Sequence, residues 1–134
     1  RHMSYQAILT GLQTQLKTVV GIRAVLDYVP TSVQTAPLIY SVLDSAEIVR
    51  SGQVRAVRYR ILHRLCVRWQ DNERAEWEII PLVDAIPAAI EADPHLGGVL
   101  TAGYAEINEI EAAWVTIGGI EYRVLDFYST VIEK

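Results

Sequence analysis

The chain has 134 residues, 51% of them hydrophobic, and a formal net charge of −4 at pH 7, so it fits a single domain and has no overall attraction to nucleic acid. No apolar run approaches the roughly 20 residues of a membrane-spanning helix and no secretion signal is present, so we expect an intracellular, soluble protein with no membrane partner. One cysteine, Cys66, excludes an internal disulfide and an all-cysteine metal site.

The first predicted element is an amphipathic helix, which Ser4 can cap at its start and Gly21 can end. Its apolar residues recur at helical spacing: Ile8, Leu12, Leu16 and Val19. A short strand is predicted from Ile22 to Leu26. Pro30 and Pro37 then bracket a polar stretch that cannot be helical, so we expect an exposed loop or arm there.

A long hairpin is predicted next. The segments Leu38 to Leu43 and Val54 to Trp69 are rich in β-branched and aromatic residues, which favour strands. Ser51-Gly52-Gln53 lies between them and supplies residues that are typical of turns.

A second amphipathic helix follows, and either Asp71 or Asn72 can cap its start. Its apolar residues again have helical spacing: Ile79, Leu82, Val83, Ile86 and Ile90. Pro81 and Pro87 each remove an amide donor from its interior. We therefore expect one kinked helix that ends before Asp93.

The last predicted unit is a second long hairpin, with strands from Tyr104 to Ile117 and from Ile120 to Ile132. Gly118-Gly119 joins them and suits the positive φ angles of a tight hairpin turn. Within the first strand the apolar residues change from one alternation to the other, which indicates a β-bulge near Asn108-Glu109.

These elements predict an α+β fold, in which an antiparallel or mixed sheet built from two long hairpins is flanked by two main helices. No repeat or change of composition marks a linker, so one domain is expected. Arg1 and His2 precede Met3 in the manner of a cloning remnant. The expected domain therefore covers residues 3–134.

The strand from Val54 to Trp69 separates apolar residues from arginines by alternation. One face carries Val57, Tyr59, Ile61, Leu65, Val67 and Trp69, and the other carries Arg58, Arg60, Arg64 and Arg68. This arginine face could be an ordinary solvated surface, a contact for the acidic surface of a neighbouring subunit, or a contact for DNA inside a ring. The rest of the chain is acidic, so we favour subunit pairing, with arginines that face solvent in the free subunit.

The sequence offers little material for catalysis or ligand binding. His63 and Cys66 have opposite parity in one strand, so they should point to different faces and form no dyad. Asp93 and His95 are too few for a closed metal site. Gly97-Gly98 lacks the residue pattern of a phosphate-binding loop. Paired carboxylates could act as acid and base at Glu106, Glu109 and Glu111, but a solvated face or a ring contact is the simpler interpretation. We expect no enzymatic activity, cofactor or metal.

Several segments together resemble one protein family. They are the strand of residues 59–65, the helix segment of residues 82–86, the turn of residues 93–98 and the closing strand of residues 119–124. In this order, behind an N-terminal helix and a proline-containing loop, they are similar to the tail terminators, or tail-completion proteins, of long-tailed bacteriophages. The resemblance covers nearly the whole chain.

The resemblance implies a structural function in the virion. Tail terminators form a ring, commonly of six subunits, that caps the tail tube, stops its polymerisation and offers a docking surface to the filled head. It implies no catalytic residues and no cofactor. The implied partners are other copies of the chain, the tail-tube protein and a head-tail connector protein, with DNA passing through the lumen. The implied locations are the virion tail and, during assembly, the host cytoplasm.

The sequence leaves three alternatives open. One is a head-tail connector or neck protein, a neighbouring class of phage protein. Another is a nucleic-acid-binding module that uses the arginine strand with Tyr59 and Trp69. The third is a small-molecule-binding domain in which Trp77 or Trp114 lines a pocket.

Overall fold

A computed structural model describes residues 5–33, 35–68, 72–98, 100 and 104–133. They form two helices and five strands in the order α1 (Tyr5–Leu16), β1 (Ala24–Leu26), β2 (Leu38–Ser51), β3 (Val54–Arg68), α2 (Asn72–Ala92), β4 (Ala105–Ile117) and β5 (Ile120–Glu133). The sheet order is β1-β2-β3-β5-β4, with β1 parallel to β2 and the other neighbours antiparallel. The predicted α+β fold with two long hairpins is confirmed. The predicted helix caps Ser4 and Asp71, and Trp69 at the end of a predicted strand, lie outside the described residues.

The main hydrophobic core lies between the two helices and one face of the sheet, which we call the inner face. The residues that bury completely include those predicted from helical spacing and from strand alternation: Ile8, Leu12, Leu16, Ile61, Leu65, Val67, Ile86 and Ile90. Removing a side chain of this size from water stabilises a fold by about 1.5–3 kcal/mol. The inner face therefore contributes most of the apolar burial.

The helix α2 runs through Pro81 and Pro87 and ends before Asp93, as predicted. The turn after it is fixed in two ways. The amide of Gly97 donates a hydrogen bond to the Asp93 carboxylate at 2.7 Å. Leu96 is buried against α1, where a Cβ on Gly11 would lie only 2.8 Å from the Cβ of Leu96. The absence of a side chain at Gly11 thus allows α1 and this turn to approach closely.

The strands β2 and β4 each contain one bulge among their described pairs. The predicted bulge in β4 is confirmed, because the register shifts between Ile107 and Glu109. The strand β2 is longer than predicted and extends to Ser51. It passes through a second shift between Leu43 and Ser45 that the sequence pattern does not indicate.

The loop between β1 and β2 covers part of the outer face, the face of the sheet opposite the helices. The predicted exposure holds at Thr31 and Ser32, but Pro30 is buried and Val33 packs against a second apolar cluster. The hydroxyl of Tyr122 donates to the Val33 carbonyl at 3.3 Å. Gly118, with φ of 59°, lies so close that a Cβ there would be 3.0 Å from the loop backbone. This part of the loop therefore packs against the outer face of the sheet and covers it.

His63 is fully buried on the inner side of β3. Its Nδ1 lies 2.6 Å from the hydroxyl of Ser41 and its Nε2 lies 2.8 Å from the hydroxyl of Ser129, so hydrogen bonds engage both ring nitrogens. Burial lowers the pKa of His63 from 6.5 to about 4. The imidazole is therefore neutral in the folded protein at pH 7.

We expect the free energy of unfolding to fall as the pH is lowered from 6.5 towards 4. The unfolded chain binds a proton at His63 near pH 6.5 and the folded chain binds it only near pH 4, so His63 stabilises the fold above pH 6.5 and loses this contribution below it. Urea unfolding at successive pH values should show a loss of about 3 kcal/mol. A His63→Gln variant should lack this part of the pH dependence; an unchanged profile would contradict the assignment.

Candidate interaction surface

The predicted arginine face is the outer face of β3. Ile61 and Leu65 belong to the core on the inner face, and strand alternation places Arg58, Arg60 and Arg64 on the opposite side. Arg68 has the same parity, but its side chain lies outside the described residues. The alternation inferred from the sequence is therefore present in the sheet.

Arg64 forms a two-point ion pair with Asp126 of β5. The Nε and Nη2 atoms of Arg64 donate to the two carboxylate oxygens at 2.7 and 2.9 Å, and Nη1 donates to the Tyr40 hydroxyl at 3.3 Å. The Asp126 side chain is 7% exposed and that of Arg64 is 25% exposed. Hydrogen bonding to Asp126 raises the pKa of Arg64 above its ordinary value. The prediction of a solvent-facing arginine is wrong at Arg64.

Arg64 is partly buried because the outer face is itself apolar at one end. A second cluster of buried residues lies there: Leu38, Tyr40, Cys66, Tyr122 and Val124. Cys66 is two residues from Arg64 on the same face, and the Tyr40 hydroxyl contacts the guanidinium. A charge in these surroundings requires a close counter-ion, since desolvation of an unpaired charge is costly. Asp126 provides it.

Arg60 lies further along β3 and connects four strands. Its Nε is 3.1 Å from the carboxylate of Asp44 on β2, and its Nη2 is 3.3 Å from that of Glu109 on β4. Its guanidinium carbon lies 4.2 Å from the ring centre of Tyr128 on β5, which is a cation–π distance. Arg60 and its two carboxylate partners are each about 40% exposed, so each ion pair contributes modestly to stability.

Arg58 is the most exposed arginine of this row whose side chain is described. Its Nη1 lies 3.5 Å from the Glu47 carboxylate, and the two side chains are 48% and 65% exposed. Exposure therefore rises from Arg64 to Arg58, from the apolar end of the outer face towards the tip of the first hairpin. A carboxylate of the same chain lies near each of the three, so their charge is largely compensated within the subunit.

The glutamates of β4 lie beside this row on the outer face. Hydrogen bonding to Glu109 and repulsion by it raise the pKa of Glu111, and hydrogen bonding to Glu111 and Arg60 lowers the pKa of Glu109. Glu106 accepts a hydrogen bond from the Asn108 side chain at 2.9 Å. The three carboxylates thus concentrate negative charge along one edge strand.

Two partners of the arginines, Asp126 and Asp44, are residues that reasoning from the sequence did not identify. Asp126 is a single acidic residue inside an apolar stretch of β5, and an acid in such a position is a usable signal of a buried ion pair. Asp44 lies at the bulge of β2, outside the strand predicted from the sequence. Both could be assigned to arginines only once the order of the strands in the sheet was known.

Cys66 and His63 point to opposite faces of β3, as predicted. Cys66 is fully buried in the outer cluster, whereas His63 contacts Ser41 and Ser129 on the inner side. Burial raises the pKa of the Cys66 thiol to about 11, which disfavours the nucleophilic thiolate. Within the part of the chain that the structure describes, no group of three or more His, Cys, Asp or Glu residues could hold a metal ion.

The structure contains an open groove of about 760 Å³. It lies between the segment after α1, the loop before β2 and α2, and is lined by residues that include Arg23, Pro37 and Leu82. Neither Trp77 nor Trp114 lines it. Trp114 instead contacts Arg123, whose guanidinium carbon is 5.0 Å from the centre of its ring. The pocket suggested for these tryptophans is therefore not this groove.

We expect Arg64→Ala to lower the free energy of unfolding by about 2–4 kcal/mol, because it leaves the Asp126 carboxylate buried without its partner. Arg58→Ala is the matched control in the same strand. Its ion pair is exposed, so its effect should stay within about 0.5 kcal/mol. Chemical denaturation measures both variants, and equal effects would show that the pair with Asp126 contributes no more than a surface contact.

No protein-family model matches this chain, and no curated protein matches its sequence. Among solved structures, a chain from the virion of a native gene transfer agent particle is similar to it. The two share 13% sequence identity with a TM-score of 0.40. The match covers 92% of this chain and 84% of that chain.

Proposed function

We propose that this chain is a non-enzymatic structural protein of a phage-like virion. In this proposal residues 3–134 act as one domain that assembles into a ring of six copies, caps the tail tube, ends its polymerisation and receives the head. The observation that carries the proposal is the pair of long open edges on one sheet, formed by β2 and β4. The resemblance to tail terminators supports a position on the tail for such a ring.

The two edges favour association between subunits. β1 pairs with β2 only at residues 38–40, so the rest of β2 has a free edge, and β4 pairs with β5 alone among the described strands. Exposed apolar side chains accompany both edges, with Leu43 and Ile48 on β2 and Ile110 and Trp114 on β4. Because the edges lie on opposite sides of the sheet, contact between them is heterologous and can close into a ring.

The arginine face fits a protein contact better than a nucleic-acid contact. Nucleic-acid binding depends on uncompensated positive charge, and carboxylates of the same chain lie near Arg58, Arg60 and Arg64. We keep these three residues and Arg68 as the proposed contact surface for a neighbouring subunit or the tail tube. Arg58 is the most accessible of the three described side chains, and Arg64 supports the fold beneath the surface.

The remaining proposed partners are the tail-tube protein and a head-tail connector protein, with DNA passing through the lumen. The proposed locations are the virion tail and the host cytoplasm during assembly. Neither helix of the described chain has the length and apolar character needed to cross a bilayer. No cofactor is part of the proposal.

Tail tubes polymerising in vitro test this function. Purified protein should stop their growth and add a disc of density at one end, because a ring seated on the last tube layer blocks the next one. Negative-stain images would give the tube lengths and the fraction of capped ends, with untreated tubes as the reference. Tubes that continue to grow with bare ends in the presence of excess protein would rule out the terminator function.

A further inference from the structure

The β2–β3 hairpin extends beyond the rest of the sheet as an arm, which we define as residues 45–58. β5 accompanies β3 only from Val57 onwards, and β1 pairs only with the start of β2. The outer part of the arm therefore has no third strand beside it in the described structure. Ile48 is 53% exposed and Val49 is 37% exposed. The arm thus has accessible apolar side chains on both of its faces.

The arm carries positive charge that the subunit does not compensate. Three arginines and one glutamate give residues 45–58 a net charge of +2. Arg50 and Arg55 lie directly opposite each other on the paired strands, and both are exposed. Like charges in this position repel each other. No carboxylate of the described chain lies within ion-pair distance of either arginine.

The opposite edge of the sheet has the complementary charge. β4 contains Glu106, Glu109 and Glu111 and no basic residue, a net charge of −3. Arg60 partly compensates Glu109, whereas Glu111 has no cationic side chain within ion-pair distance among the described residues. The pairing of Val57 with Glu133 and of Ala105 with Val131 puts Glu106 at the same end of the sheet as the base of the arm.

We propose that the arm of one copy docks on the acidic β4 edge of the next copy. This inference rests on the proposed ring and specifies its contact. This contact places Arg50 and Arg55 against Glu106 and Glu111. It therefore reduces both the repulsion between the two arginines and the repulsion among the glutamates of β4. The arm and the acidic strand lie at opposite edges, so each copy offers one of each to its two neighbours. Such a head-to-tail contact is the kind that closes into a ring.

Charge reversal on each side separately tests the contact. The arm variant is Arg50→Glu with Arg55→Glu, and the edge variant is Glu106→Arg with Glu111→Arg, which leaves the pair of Arg60 and Glu109 intact. Each variant alone should self-associate at least about a hundredfold more weakly than wild type, because like charges then meet at the contact. An equimolar mixture should regain wild-type association as alternating rings, which native mass spectrometry resolves by subunit mass.

Asp84→Arg with Glu91→Arg, a reversal of two exposed residues on α2, is the control and should assemble like wild type. Circular dichroism and melting temperature would confirm that all variants fold. The proposal is overturned if either variant alone assembles normally, if the mixture stays monomeric where wild type associates, or if wild type itself stays monomeric to about 1 mM. Tail capping by wild type is scored separately, so the terminator function can hold when this contact fails.

Discussion

The two helices in the described part of the chain lie on the same face of the sheet, so the opposite face has to be shielded or solvated by other means. At one end the loop before β2 covers it, and an apolar cluster forms around Tyr40, Cys66 and Tyr122. Towards the other end charged residues replace apolar ones, and ion pairs between strands take over. Arg64 lies between these two ends and is partly buried, so its charge requires the close carboxylate of Asp126. Along the outer face, the side chains therefore change from a buried apolar cluster to exposed charged groups, and this change is a gradient of burial.

Local sequence patterns predict some features of this structure, whereas contacts between distant segments determine the others. Alternation along β3 is a local property, so the face of Arg58, Arg60 and Arg64 follows from the order of residues alone, as do the hairpin turn at Gly118 and the bulge in β4. The burial of Arg64 depends on Asp126, which is 62 residues away and becomes a neighbour only through the strand order. The cover over the outer face and the extension of β2 depend on packing and pairing between distant segments in the same way, so local patterns do not specify them.

The surroundings of His63 and Cys66 disfavour chemical reactivity at both side chains. The His63 ring is held by two serines inside the core, and the Cys66 thiol lies in an apolar cluster on the other face, so each is inaccessible to a substrate. The exposed side chains along the edges of the sheet include charged and apolar groups. Such groups suit contacts with other proteins, whose interfaces combine an apolar centre with a charged rim.

The two bulges also determine how far either edge of the sheet can pair with another strand. A bulge interrupts the regular spacing of backbone donors and acceptors and increases the local twist. The bulge in β2 falls at Asp44 and that in β4 falls at Asn108, so neither edge offers an uninterrupted flat template along its whole length. A strand that added to either edge could keep its hydrogen-bond ladder only on one side of the bulge. The bulges thereby protect the long edges against runaway stacking into amyloid-like fibres, a hazard for long, flat and unpaired strands.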